Sequence, residues 1–94
     1  MIEASRNRIS LEGEWDLARK EELIALLAGL RSGQPATIDL SRCTYADSTV
    51  LAALGLLKRT FEDVPITLIA PQSQTKRLLK ITGYDKLFRI VDGK

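Results

Sequence analysis

Two short apolar runs, residues 36–40 and 66–70, each lead into a helix-length amphipathic stretch, and this alternation limits the fold more than any other property of the chain. Ala36, Ile38 and Leu40 in the first run, and Ile66, Leu68 and Ile69 in the second, read as short buried strands. Strands separated by helices cannot pair through tight hairpins. They need crossover connections and so give a largely parallel sheet covered by helices.

The flanking segments extend the pattern. Ile9 and Leu11 alternate with polar neighbours, which predicts a strand over residues 8–11 that ends at Gly13. Residues 2–5 read as a short strand before it, with Arg6 and Asn7 as the turn. Asp16 is placed to cap a helix over residues 17–30, with Leu17, Leu23, Ile24, Leu27 and Leu30 as its apolar stripe. A break at residues 32–35 separates it from the next strand. A second helix starts near Ser48 and runs to about Phe61. Ser73 caps a third through Lys76, Leu78, Leu79 and Ile81, Gly83 ends it, and residues 87–91 form a last strand. The expected fold is one α/β domain over residues 1–94, with a mixed, mostly parallel sheet of four to five strands and three helices.

Composition removes whole classes of function. The 94 residues carry 14 Lys and Arg against 12 Asp and Glu, a net charge of +2 with no long run of one sign. That pattern makes no nucleic-acid footprint and no polybasic membrane patch. The absence of histidine excludes Ser-His and Cys-His catalysis and the usual zinc ligand. Cys43 is alone, so neither an internal disulfide nor a cysteine metal cluster is available, and it reads as a small buried hydrophobe. No phosphate-binding glycine loop occurs. Neither a signal-peptide core nor an apolar run of membrane-spanning length is present, so a soluble cytoplasmic protein without direct membrane insertion is expected. These observations together point to a binding module rather than an enzyme, with no cofactor and no metal.

The second helix carries the unusual pattern. Val50, Ala53, Leu54, Leu57 and Phe61 share one side and are expected to face the sheet. The opposite side is polar only at its end, at Lys58, Arg59 and Glu62. Nearer its start it presents Ser48, Ala52 and Gly55, flanked by Leu51 and Leu56. A helix apolar most of the way round is either covered on all sides by its own chain or reserves a face for a partner, and in so small a domain the partner is favoured. A glycine inside a helix costs about 1 kcal/mol relative to alanine, so Gly55 implies a close approach by something. Asp47 or Ser48 serves as the N-cap. A hydroxyl there lies at the positive end of the helix dipole, where an attached phosphate is tolerated by the fold. It would nevertheless put about −1.5 to −2 charge on the rim of the apolar face.

Three segments resemble the STAS domains, the family of the anti-sigma factor antagonists. Asp39, Leu40 and Ser41 close a strand, and Asp47, Ser48 and Thr49 then open a helix, as in the family's central motif. Residues 11–18 resemble its Gly-Glu-Leu-Asp segment, with Trp15 in place of the aliphatic residue. Residues 78–90 resemble its Leu-Leu, Gly-Leu-Asp and Leu-Phe pattern. Val50 stands where the family often has glycine, and the chain stops at Lys94, which leaves the family's C-terminal helix missing or very short. One side of the sheet is then less covered, favouring a permanent partner or a weak homodimer.

The resemblance implies an antagonist that captures an anti-sigma factor, itself a serine kinase. Phosphorylation of Ser48, with Thr49 the less favoured acceptor, implies release, and a PP2C-type phosphatase implies resetting. Asp47, Ser48, Thr49, Leu51, Ala52, Gly55, Leu56 and Arg59 are the expected partner contacts. The alternative implied by the same family is a constitutive accessory subunit on the ATPase of an ABC-type phospholipid transporter.

Overall fold

The computed structural model describes residues 7–92, and the strand expected over residues 2–5 lies outside them. Six strands and three helices follow in order: β1 (Arg8–Ser10), β2 (Gly13–Trp15), α1 (Lys20–Ala28), β3 (Ala36–Asp39), β4 (Cys43–Ala46), α2 (Ser48–Thr60), β5 (Ile66–Ile69), α3 (Ser73–Thr82) and β6 (Arg89–Val91). Single turns of 3₁₀ helix at Leu17–Arg19 and Tyr84–Lys86 lead into α1 and out of α3.

Four strands form one sheet in the order β1-β3-β5-β6, and β2 and β4 form a separate two-stranded ladder. Every pairing among the described residues is parallel. The register aligns Ile9, Ile38, Leu68 and Ile90 in one row across all four strands of the larger sheet. Because side chains alternate faces along a strand, this row points to the core while Arg8, Thr37, Thr67 and Arg89 form the row on the other face. Leu23 and Leu27 of α1, Val50, Leu51 and Leu54 of α2, Phe61 and Leu79 complete the core.

Several local expectations change. Gly13 does not end a strand but begins β2, adopting φ +88°, a left-handed conformation that glycine enters without a Cβ clash. Asp16 does cap, accepting from the Ala18 N–H, but it caps the 3₁₀ turn rather than α1 itself. The stripe expected over residues 17–30 splits: Leu23 and Leu27 are buried, whereas Leu17, in the 3₁₀ turn before α1, and Ile24 are exposed along an open groove between α1 and α2. Ser73 is the first residue of α3 and makes no cap, and Ile81 projects into solvent. Gly83 closes α3 in the left-handed region at φ +82°, as its position implies. Asn7, expected in a turn, is buried instead; its side-chain amide donates to the Arg31 carbonyl at 2.8 Å, and its oxygen accepts from the Arg31 N–H at 2.7 Å. It thereby fastens the loop between α1 and β3.

At the C-terminal end of β3, the Ser41 N–H donates to the Asp39 carboxylate at 2.9 Å and Arg8 donates to it at 3.0 Å. Those donors, the Ser41 backbone first, hold the Asp39 carboxyl below its ordinary range. Leu40 then enters the core and Ser41 and Arg42 turn the chain into β4.

Candidate docking site

The site begins where β4 delivers the chain to α2. Ala46 is fully buried at the end of β4. The next residue, Asp47, has extended backbone angles, and its side chain accepts from the Thr49 N–H at 2.8 Å, so Asp47 is the N-cap. The Asp47 N–H donates to the Trp15 carbonyl of β2 at 3.2 Å, tying the cap to the β2–β4 ladder. Ser48 is therefore the first residue inside the helix. It is exposed, and its hydroxyl makes no hydrogen bond among the described residues. Thr49 is half-buried beside it.

From this start, α2 divides its faces. Val50, Leu54 and the following Phe61 go into the core, as expected, with Ala53 and Leu57 partly buried against it. Leu51 corrects the sequence reading: it is only 3% exposed and cannot meet a partner. The physical reason is that α2 packs against both α1 and β4, so the buried arc is wider than a single stripe. Gly55 is also corrected. The Tyr84 ring, which follows α3, lies over it, so the close approach that the glycine permits is made by the chain itself.

What remains outward is a ridge of Ser48, Ala52 and Leu56 at successive intervals of four residues, with Arg59 beyond it. Leu56 is 63% exposed. On one flank, an open groove of about 750 Å³ separates the ridge from α1 and is lined by Leu17, Lys20, Ile24 and Ser48 among others. Leu17 is 67% exposed there and Ile24 47%. On the other flank, Tyr84, Leu87, Arg59 and Glu62 border a second groove. Four exposed aliphatic side chains thus flank or crown one helix, a concentration that single scattered surface leucines do not produce.

The structure brings Ser48, Ala52, Leu56 and Arg59 together on this surface, places Asp47 beneath it as the cap, and leaves Thr49 at its edge. Sequence reasoning missed Leu17, Ile24, Tyr84 and Leu87. The signal for the first two was present: they are seven residues apart, whereas Leu23 and Leu27, with Leu26 and Leu30 packed beside them, already seat this helix on the core, so its apolar arc was too wide for one contact.

Lys20, Lys58 and Arg59 are the cations lining the two grooves, Lys58 being held by the Phe61 and Val64 carbonyls, and Glu62 lies at the far end. Among the described residues, no group of three or more His, Cys, Asp or Glu side chains could hold a metal ion. Cys43 lies in the core; burial raises its thiol above the ordinary value, so it stays protonated at neutral pH. No described helix is long and apolar enough to cross a membrane.

A family model described as "Mlab, STAS domain" matches residues 2–92. No curated protein matches the chain. Among solved structures, a Thermotoga maritima protein assigned provisionally as an anti-sigma factor antagonist is similar, with a TM-score of 0.78 and 16% identity over 92% of this chain and 80% of that one. The anti-sigma factor antagonist SpoIIAA in its unphosphorylated form gives 0.73 and 17%, over 88% of this chain and 76% of that one. An anti-sigma factor antagonist from Mycobacterium paratuberculosis gives 0.64 and 26%, over 89% and 74%. The first two likenesses, at such low identity, speak for a common fold.

Proposed function

The chain belongs to the STAS domain family, and from that premise we propose that it is an antagonist-type docking protein that captures an anti-sigma factor and releases it when Ser48 is phosphorylated. The observation that carries this reading is the position of one free hydroxyl at the head of an exposed aliphatic ridge. Leu56, Leu17 and Ile24 supply the apolar area for a partner, and Lys20 and Arg59 favour one with acidic residues at its rim.

The switch follows from electrostatics. A phosphate on Ser48 adds about −1.5 to −2 charge at neutral pH. The fold accommodates it, because Ser48 lies at the positive end of α2 and points outward. A bound partner does not, because the dianion would have to be desolvated against an apolar surface beside the Asp47 carboxylate. The chain makes and breaks no bond itself in this scheme. It is the substrate of the partner's serine kinase and of a PP2C-type phosphatase, in the cytoplasm of a bacterium. SpoIIAA, described in its unphosphorylated form, is a relative of the same fold for which phosphorylation is a defined state.

The test is capture from cells that make the protein, followed by mass spectrometry of the captured chain. Wild type and Ser48→Ala should retain the same partner, Ser48→Asp should lose it by about tenfold or more, and phosphate should be found on Ser48. Equal capture by Ser48→Asp, or phosphate found only at other residues, would refute the switch.

A second reading is favoured by the aliphatic character of the ridge. Interfaces that never open are more apolar than transient ones, and Leu17 and Leu56 are among the most exposed large hydrophobic side chains of the described residues. The matching family model also carries the Mlab description rather than that of the antagonists. On this reading the same face is a permanent seat on the ATPase of a phospholipid transporter. Ser48→Asp then leaves capture intact, and Leu56→Glu abolishes it.

A further inference from the structure

Ala46 immediately precedes the Asp47 cap, and its backbone groups are partitioned between two neighbours. In the parallel β2–β4 ladder Ala46 is opposite Trp15, and the next N–H, that of Asp47, is the one that donates to Trp15. The Ala46 N–H and C=O therefore face the other way, toward α3. Both are taken by one side chain. The Gln74 oxygen accepts from the Ala46 N–H at 3.2 Å, and the Gln74 amide nitrogen donates to the Ala46 carbonyl at 2.9 Å. Because an N–H can only donate, the orientation of the Gln74 amide is fixed by this pair. The buried Thr75 hydroxyl donates to the same Gln74 oxygen at 3.3 Å and holds it there.

We propose that Gln74 is a positioning residue for the Asp47–Ser48 turn. Its side-chain amide stands in for the missing third strand beside β4, so the turn that presents Ser48 is gripped by β2 on one side and by α3 on the other. Its use for Ser48 rests on the reading of that residue as the phosphate acceptor, whereas the grip itself does not. A primary amide is required, since the site needs a planar donor and acceptor side by side. Methionine offers neither bond. Glutamate, ionised at neutral pH, offers only the acceptor.

The test is amide exchange and carbonyl-carbon NMR on the whole protein, wild type against Gln74→Met and Gln74→Glu. In Gln74→Met, exchange at Ala46 should rise by about tenfold, and protection at Thr49, whose N–H is held by Asp47, should fall with it. In Gln74→Glu the Ala46 N–H should stay protected while the Ala46 carbonyl-carbon resonance moves, a split that general loosening of the fold cannot produce. Unchanged Ala46 exchange in Gln74→Met overturns the proposal. Raised exchange at Ala46 with Thr49 unaffected also overturns it, because Gln74 would then seal β4 without holding the turn. Phosphate occupancy at Ser48, measured in parallel on wild type and Gln74→Met from producing cells, separates the two claims. A wild type that never carries phosphate refutes the function of Ser48 while the NMR result on Gln74 stands.

Discussion

The hydroxyl oxygen of Tyr84 lies 2.7 Å from where a Cβ on Gly55 would stand, with two ring carbons at 3.2 and 3.3 Å. The ring is also packed at a tilt against Phe88, with centroids 6.3 Å apart, so moving it aside disturbs that pair. Gly55 is thus the gap through which the segment after α3 is seated on α2.

Gly55→Ala opposes two effects. Alanine favours the helix by about 1 kcal/mol, but the crowding against Tyr84 costs about 1–3 kcal/mol. The single substitution should lower stability by about 1 kcal/mol in urea denaturation, and in a Tyr84→Leu background it should become neutral or stabilising. Additive effects in the double-mutant cycle would show that the contact carries no energy.

Leu51 and Leu56 test which way α2 is turned. Leu51→Ala empties a core position and should cost about 2–5 kcal/mol. Leu56→Ala changes an exposed side chain and should alter stability by less than about 0.5 kcal/mol, while weakening partner capture. Comparable losses from both would mean that the ridge is sealed.

Asp39 gives the molecule an acid limit. Its carboxyl is held below the ordinary range by the Ser41 N–H, then the Ser41 hydroxyl and Arg8. A group depressed on folding stabilises fully above its unfolded value and loses that contribution as pH falls through the folded one. Melting temperature should therefore decline from about pH 4 downward, and Asp39→Asn should flatten that decline. Arg8→Ala should flatten it less, because the Ser41 backbone is the larger cause. An identical acid limb in Asp39→Asn would remove Asp39 from the explanation.

Cys43 should react with a thiol reagent only when the chain opens. It is buried, it donates to the Tyr45 carbonyl at 3.4 Å, and burial keeps it protonated. Labelling in native buffer should be at least about a thousandfold slower than in concentrated urea. Similar rates in both would contradict the burial of β4.

The order of elements was legible because the apolar periods of β3, β5, α2 and α3 are long enough to read, and the head of α2 was marked by Asp47 and Ser48. The β2–β4 ladder was not legible. β4 buries only its first and last residues, Cys43 and Ala46, and β2 only Trp15, so neither shows the alternation that marks β3 and β5, and Gly13 looked like a terminator although its positive φ starts β2. The outward side of α2 was legible at Ser48, Ala52, Leu56 and Arg59. It failed at Leu51 and Gly55 because their neighbours, β4 and Tyr84, come from contacts that helical spacing within α2 cannot reveal.

All the strand pairings in the described chain are parallel, so not one of them is a hairpin that could form from neighbouring residues. The Ser48 turn needs Trp15 from upstream and Gln74 from downstream before it has a shape. A nascent or clipped chain lacking residues beyond α2 would offer the same greasy helix without the downstream half of that turn's support. Selective recognition of Ser48 would then double as a proofreading step, because only a chain that has finished closing on itself has anything specific to recognise.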